Sequence, residues 1–166
     1  MPQRTKFKTM ECPIARSLGS VGERWSFLIL RDAFLGMTRF DEFRKSIPIA
    51  TNVLSRQLKM LTESGMLETR HYSDHPNRVD YVLTEKGRDF FPVIAAMMAW
   101  SNKHLALKGP ALEMAERSNG KVFRPRVVNG HGETVSLDNV VIVPGPAASR
   151  AMHKHLRSSV KALRYS

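Results

Sequence analysis

The fold of this 166-residue chain is decided by residues 51–64, TNVLSRQLKMLTES. The apolar residues of this stretch recur at helical spacing and predict an inward stripe on an amphipathic helix: Val53, Leu54, Leu58 and Leu61. Gly65 follows directly and is a typical glycine stop for a helix. The polar residues of the same stretch therefore face away from the core.

Short helices are predicted before this stretch, and a hairpin is predicted after it. The helices are expected at Pro13–Val21, Arg24–Phe34 and Phe40–Ser46. Two strands, Met66–Tyr72 and Val79–Leu83, are joined by a polar loop at residues 73–78. A long helix is then predicted from the cap at Thr84 and Glu85 to about Leu107, kinked at Pro92.

This order of elements is typical of a winged helix-turn-helix, whose second helix enters the major groove of DNA and whose hairpin reaches an adjacent groove. We therefore expect a mainly α protein with a small β-hairpin wing. Asn52, Arg56 and Lys59 form a polar stripe on the recognition helix. The candidate DNA-binding residues of that helix are Thr51, Asn52, Ser55, Arg56, Gln57 and Lys59, whose chemistries suit base edges and phosphates. The alternative is an ordinary solvated helix face.

Two residues of the predicted wing loop, Asn77 and Arg78, add to the candidate DNA-binding set. A cation between two strands is suited to a phosphate or to a narrow minor groove. Ordinary turn chemistry is a strong alternative for Asn77 and a weaker one for Arg78.

The composition changes after Gly109-Pro110, so we divide the chain into a winged helix-turn-helix, DNA-binding domain at residues 1–108 and a C-terminal appendage at 109–166. The appendage is predicted to hold strands at Val122–Val128 and Val140–Val143 and a basic helix at Ala147–Leu163. Arg150, Lys154, Arg157 and Lys161 form one basic face of that helix, which serves either phosphate contacts or solvation.

The basic composition makes a polyanion the first partner class to consider, with a merely solvated basic surface as the alternative. The chain has 26 Lys and Arg residues, 15 Asp and Glu residues and a net charge of +11, and the stretch after Leu107 is the more basic part. No apolar run reaches the roughly 18 residues that a membrane span needs, and no secretory signal pattern follows the basic start, so we expect a soluble, cytoplasmic protein. Cys12 is the one cysteine, which excludes an intramolecular disulfide.

Five separated blocks of this sequence resemble the HxlR-type transcriptional regulators. They are Cys12-Pro13, Gly22–Trp25 with Leu28–Arg31, Arg39–Phe43, Ile49–Leu58 and Tyr81–Gly87. The resemblance implies a bacterial regulator that binds double-stranded DNA at an inverted repeat, as a repressor or an activator. It also implies a homodimer held by the N-terminal and the long C-terminal helices. Many relatives have Ser-Pro where this chain has Ala50-Thr51, so Thr51 is expected to cap a slightly later helix.

Cys12 occupies the place where several branches of this family carry a cysteine that senses oxidants or electrophiles. A thiol near a helix N-terminus and basic residues can hold more of its reactive thiolate form. In a dimer, two such thiols would form an intersubunit disulfide or be alkylated. The alternative is a small buried residue that packs the first helix.

Other functions have less support. No nucleotide-binding, metalloprotease or nucleophile-elbow motif occurs, and His71 with His75 or His153 with His155 complete no ligand set, so we expect no enzyme activity, cofactor or metal. Aromatic and methionine residues between Phe90 and Trp100 line either a small-molecule effector pocket or, as we favour, the core and dimer contact. The rival function is a winged-helix module that binds protein or RNA.

Overall fold

The computed structural model describes residues 7–22, 24–72, 75–106 and 108–159 of the chain. The chain forms two compact units, Met1–Pro125 and Arg126–Ser166. Within the described ranges, no helix is both long and apolar enough to cross a bilayer.

Four helices confirm the predicted elements around the recognition stretch. They are α1 (Pro13–Val21), α2 (Arg24–Phe34), α3 (Phe40–Ser46) and α4 (Thr51–Glu63). Gly65 ends α4 as predicted, with φ +71°. Its N–H donates to the carbonyl of Thr62, and the N–H of Met66 donates to the carbonyl of Leu61, both at 2.9 Å. This pair of bonds is a Schellman ending, which satisfies carbonyls that the helix leaves unpaired.

The core of the first unit lies between α2, α3 and α4. Leu54, Leu58 and Leu61 of α4 are fully buried against side chains that include Ile29 of α2 and Phe43 of α3. Burial of one such side chain contributes about 1.5–3 kcal/mol. The predicted inward stripe of α4 is therefore confirmed for its three leucines, and it holds the helix on α2 and α3.

The segment after the hairpin forms two helices, so the prediction of one kinked helix from Thr84 to Leu107 is wrong. The helices are α5 (Glu85–Arg88) and α6 (Phe91–His104). Thr84 does cap the first, because its Oγ1 accepts from the N–H of Gly87 at 3.0 Å. Pro92 stands in the first turn of α6, where its missing N–H needs no partner. It therefore begins a helix instead of bending one.

The wing is an antiparallel hairpin of β1 (Leu67–Tyr72) and β2 (His75–Leu83). The register pairs Leu67 with Leu83 and His71 with Val79, and it shifts between His71 and Tyr72. The predicted loop at residues 73–78 was too long, since β2 already begins at His75. Ser73 and Asp74, which separate β1 from β2 in the sequence, lie outside the described residues.

Of the two strands predicted in the tail, the first is confirmed only at Val122–Phe123, and the second, at residues 140–143, is wrong. Val122–Phe123 (β4) pairs with Met114–Ala115 (β3) in a small hairpin of the first unit. In the second unit, Val128 makes a single bridge to Thr134, a 3-10 turn spans Leu137–Asn139, and residues 140–143 have no strand structure. Valine favours a strand only where a neighbouring strand and a packing face exist, and residues 140–143 are exposed and pair with no strand in the described part of the chain. The last described element, α7 (Arg150–Ser159), lies within the predicted basic helix.

Candidate nucleic-acid interface

The outer face of α4 carries five of the candidate DNA-binding residues. Their exposed side chains lie on the side of α4 opposite its buried leucines: Thr51, Asn52, Ser55, Arg56 and Lys59. The two faces follow from the 3.6-residue period, which alternates apolar and polar positions along this stretch. A helix fixed on one face and polar on the other can be inserted into a groove without disturbing its own packing.

Several of these polar side chains are available for an external partner. Arg56 and Asn52 have no side-chain hydrogen bond or ion pair within the part of the chain that the structure describes. Lys59 Nζ lies 3.8 Å from Glu63 Oε1, but both side chains are well exposed, and such a pair contributes little. Ser55 Oγ donates to the carbonyl of Thr51 at 3.0 Å and keeps its lone pairs.

Gln57 corrects the predicted site. Its side chain is 2% exposed, and its Oε1 accepts a hydrogen bond from Ser26 Oγ of α2 at 3.1 Å. Position 57 follows Leu54 by three residues and therefore shares the buried face of the helix. Gln57 joins α4 to α2 and does not face a groove.

The start of α4 corrects the expected register. Ala50 is the N-cap residue, without a side-chain cap, and Thr51 is the first helical residue. The helix therefore does not begin later than Thr51, which places Asn52 in its first turn.

Three residues that follow the wing fix it beside the end of α4, and we did not predict this role from the sequence. Thr84 Oγ1 donates to the carbonyl of Gly65 at 2.6 Å, and Lys86 Nζ donates to the carbonyl of Ser64 at 2.7 Å. A Cβ on Gly87 would overlap the carbonyl oxygen of Met66, so only glycine allows this close approach. The one signal in the sequence that could have indicated this role is the stretch Tyr81–Gly87, which is one of the five that resemble the HxlR-type regulators.

The other side of the wing is anchored on the segment before α3. Thr38 Oγ1 donates to Asp80 Oδ1 at 2.7 Å, and the N–H of Tyr81 donates to the carbonyl of Thr38 at 2.7 Å. Tyr81 is partly buried against the core, and this burial raises the pKa of its phenol, which stays neutral at pH 7. The wing is thus fixed both to the end of α4 and to the segment before α3.

The structure describes the side chain of the predicted sensor cysteine but not those of the two predicted wing residues. Asn77 and Arg78 lie in β2, and their side chains fall outside the described part of the structure. Cys12 is partly exposed at the N-cap of α1, where its carbonyl accepts from the N–H of Arg16 at 3.1 Å.

Apolar side chains on α1 and α6 are exposed at helical spacing. On α1, Ile14 is 71% exposed and is followed one turn later by Leu18. On α6, Val93, Met97 and Trp100 lie at i, i+4 and i+7 and are about half exposed. Phe91 contacts the edge of Phe34 at 5.4 Å between ring centroids, which holds α6 against α2. Each of these two helices thus carries a row of exposed apolar side chains.

A recognition helix with a free polar face and a hairpin fixed beside it defines a winged helix-turn-helix protein. The model of the HxlR-like helix-turn-helix family matches residues 20–108, more than half of the chain. The HTH-type transcriptional regulator Rv3095 of Mycobacterium tuberculosis (strain ATCC 25618 / H37Rv), itself uncharacterised, is 39% identical over 135 residues, covering 80% of this chain and 85% of the relative. The chain therefore belongs to the HxlR-type family of helix-turn-helix transcriptional regulators.

Solved structures agree with this assignment. PA1607, assigned as a transcription factor, matches with a TM-score of 0.76 and 34% identity, over 82% of this chain and 97% of that one. PA1374 of Pseudomonas aeruginosa, also assigned as a transcription factor, matches with a TM-score of 0.63 and 47% identity, over 87% and 100%. Because the first 108 residues are only two thirds of this chain, the matches to PA1607 and PA1374 extend into its tail.

One further neighbour is a redox regulator. HypR in its reduced form matches with a TM-score of 0.52 and 31% identity, over 55% of this chain and 92% of HypR. The oxidised form of HypR matches with a TM-score of 0.54 over 58% of this chain.

Proposed function

We propose that this regulator recognises a specific DNA operator through the outer face of α4. The observation that carries the proposal is the set of exposed side chains on that face, with Arg56 and Asn52 free of internal partners. Arg56 would pair with guanine and Asn52 with adenine, whereas Lys59, Ser55 and Thr51 would fix the register on phosphates. Asn77 and Arg78 of β2 would contact the adjacent groove.

The proposed assembly is a homodimer on an inverted repeat. The exposed apolar stripes of α1 and α6 would meet their copies in a second chain, since a two-fold interface uses the same surface twice. The two α4 helices would then enter successive major grooves about 34 Å apart.

Cys12 is the proposed point of redox control, as an extension of the operator-binding function. Its partly exposed thiol lies at the start of α1, one of the two proposed dimer helices. Oxidation of the two Cys12 thiols of a dimer to one disulfide would release two electrons and two protons to an oxidant such as diamide. The new bond would bias the spacing of the two α4 helices. The redox regulator HypR among the structural neighbours supports this reading.

The test is fluorescence anisotropy of the reduced protein on its own upstream intergenic DNA and on random DNA, at two salt concentrations. We expect a preference of about 10³ or more for the upstream DNA. Arg56→Ala should lose about 1–3 kcal/mol of binding free energy on the upstream DNA and relax the specificity for one base pair. Lys59→Ala should weaken binding to all sequences alike. Equal losses on both DNAs from Arg56→Ala would contradict base readout, and no preference for the upstream DNA at either salt concentration would favour the rival interaction module.

The redox test repeats the assay after diamide. We expect the wild-type protein to release the upstream DNA and the Cys12→Ser variant to retain it. Identical release by both proteins would remove Cys12 from the mechanism and leave operator recognition intact.

A further inference from the structure

The helix α7 of the second unit is a well-formed element that the family model does not include. Ser149 precedes it, and its Oγ accepts from the N–H of Met152 at 3.1 Å, which is the geometry of an N-cap. Residues 150–157 of α7 therefore present their side chains at helical spacing.

The two sides of α7 differ in chemistry. Met152 and Leu156 lie one turn apart and are partly buried. The exposed side carries cationic and imidazole groups that line one open recess: Arg150, His153, Lys154 and Arg157. We call Arg150, Lys154 and Arg157 the basic stripe of α7.

The stretch of sequence that carries this stripe is rich in basic residues and has no acidic ones. Residues 139–166 contain five Lys and Arg residues and no Asp or Glu. The guanidinium groups of Arg150 and Arg157 form no ion pair or hydrogen bond with any residue that the structure describes. Like charges one turn apart destabilise a helix, and the helix dipole disfavours a cation at the first position, which Arg150 occupies. A merely solvated helix would not favour this arrangement.

We propose that the basic stripe of α7 binds the phosphates of duplex DNA, independently of base sequence. The stripe extends about 10 Å along the helix, which corresponds to about three phosphate steps on one strand. Arginine offers paired donors that match phosphate oxygens, and the free N–H groups at a helix start attract the same anions. This inference rests on the proposed DNA-binding function and adds a second, sequence-independent contact to it.

The experiment compares two triple variants of the full chain that each remove three positive charges. R150Q/K154Q/R157Q removes the basic stripe of α7, and R117Q/K121Q/R124Q removes exposed charges around the β3–β4 hairpin. Glutamine preserves helix propensity, and circular dichroism checks that both variants are folded. Binding to a random 40-base-pair duplex is measured by anisotropy as a function of salt concentration.

We expect the α7 variant to bind random DNA about 10- to 100-fold more weakly at 0.1 M salt, with a slope of log affinity against log salt shallower by about 2–3. The control variant should lose much less affinity and keep a slope close to that of the wild type. R150K/R157K, which keeps the charge, should retain the slope. An unchanged slope in the α7 variant, or an equal loss in the control, would overturn the proposal.

Two added arms separate this inference from its neighbours. Arg56→Ala, measured on upstream and random DNA, reports operator recognition. If Arg56→Ala loses the preference for upstream DNA and keeps the wild-type salt slope, operator recognition stands. If the α7 variant then also keeps the wild-type salt slope, only the inference about α7 fails. If no protein shows a preference and the α7 variant still loses the slope, operator recognition fails and the α7 contact stands. Binding to phosphatidylglycerol vesicles that depends on the stripe, with an unchanged DNA slope, would overturn DNA as the partner.

Discussion

The two units of this protein differ in how they hold their structure. In the first unit, side chains from α2, α3 and α4 are fully removed from solvent, among them Ile29, Phe43 and Leu58. In the second unit, none of the described residues 126–157 is buried, and Val141, Ile142 and Val143 are 65–68% exposed. The first unit therefore has a core of its own, whereas residues 126–157 of the second unit form none.

The second unit holds its turns by local hydrogen bonds instead. Asn129 Oδ1 accepts from the N–H groups of His131 and Glu133, at 2.9 and 3.0 Å. Such turns order a few residues but supply little of the free energy of a cooperative fold. A helix face that reads bases must be held rigidly and therefore needs a buried core like that of the first unit. A phosphate contact that is independent of sequence needs less rigidity, so turns held by local hydrogen bonds are sufficient for it.

The strongest test of this difference is truncation of one apolar side chain in each unit. Leu58→Ala removes a fully buried side chain of α4 and should lower the free energy of unfolding by about 2–5 kcal/mol, through lost burial and a cavity. Val141→Ala should change it by less than about 0.5 kcal/mol. Urea unfolding followed by circular dichroism measures both.

The result would contradict the comparison if Val141→Ala cost as much as Leu58→Ala. The valine would then be buried in solution, against its exposure here, and the second unit would have a packing partner.

Glycine substitution gives a second test of comparable design. Gly87→Ala forces a methyl group onto the carbonyl of Met66 and should cost about 2–3 kcal/mol by overpacking between α5 and the start of the wing. Gly130→Ala, in the second unit, meets open space and should be close to neutral. Thermal unfolding of the two variants compares them directly, and a stable Gly87→Ala protein would show that α5 can shift away from β1.

The part of the fold that could be predicted is the part with a core. The bounds of α1, α2 and α3 follow from helical periodicity and from breakers such as Gly22 and Pro48. The outward face of α4 followed from its leucines, because a buried stripe at helical spacing leaves the opposite face polar.

The rest depended on contacts that no local pattern contains. Gln57 is polar and was placed outward, but its bond to Ser26, 31 residues away, allows it to be buried. Pro92 suits a helix start as well as a kink, and the choice depends on how α6 packs. The valines of the tail satisfy strand propensity, but propensity without a paired neighbour makes no strand.

Ser26 offers a third test, which asks whether a buried hydrogen bond contributes more to stability than an exposed one. Ser26→Ala removes the donor to Gln57 and leaves a buried amide oxygen unpaired, which should cost about 1–2 kcal/mol. Ser17→Ala is the matched control, because its hydroxyl donates to the carbonyl of Pro13 on the surface of α1. That change should stay within about 0.5 kcal/mol. Equal costs in urea unfolding would contradict a special role for the buried bond.

The smallest expected effect concerns the carboxylate of Glu42, an exposed residue at the start of α3. We expect its contribution to stability to depend on its charge. Its Oε2 accepts from the N–H groups of Arg39 and Thr38, both at 2.9 Å, and these bonds lower the pKa of the carboxyl. A lowered folded-state pKa adds stability above the unfolded value, about 4.3, which is lost as the pH falls through the folded value. Glu42→Gln keeps the shape and an acceptor oxygen but cannot ionise. It should therefore be slightly less stable than the wild type at pH 7, and thermal unfolding should show the difference vanish toward pH 3. A constant difference across that range would mean that the side chain acts through its shape and not through its charge.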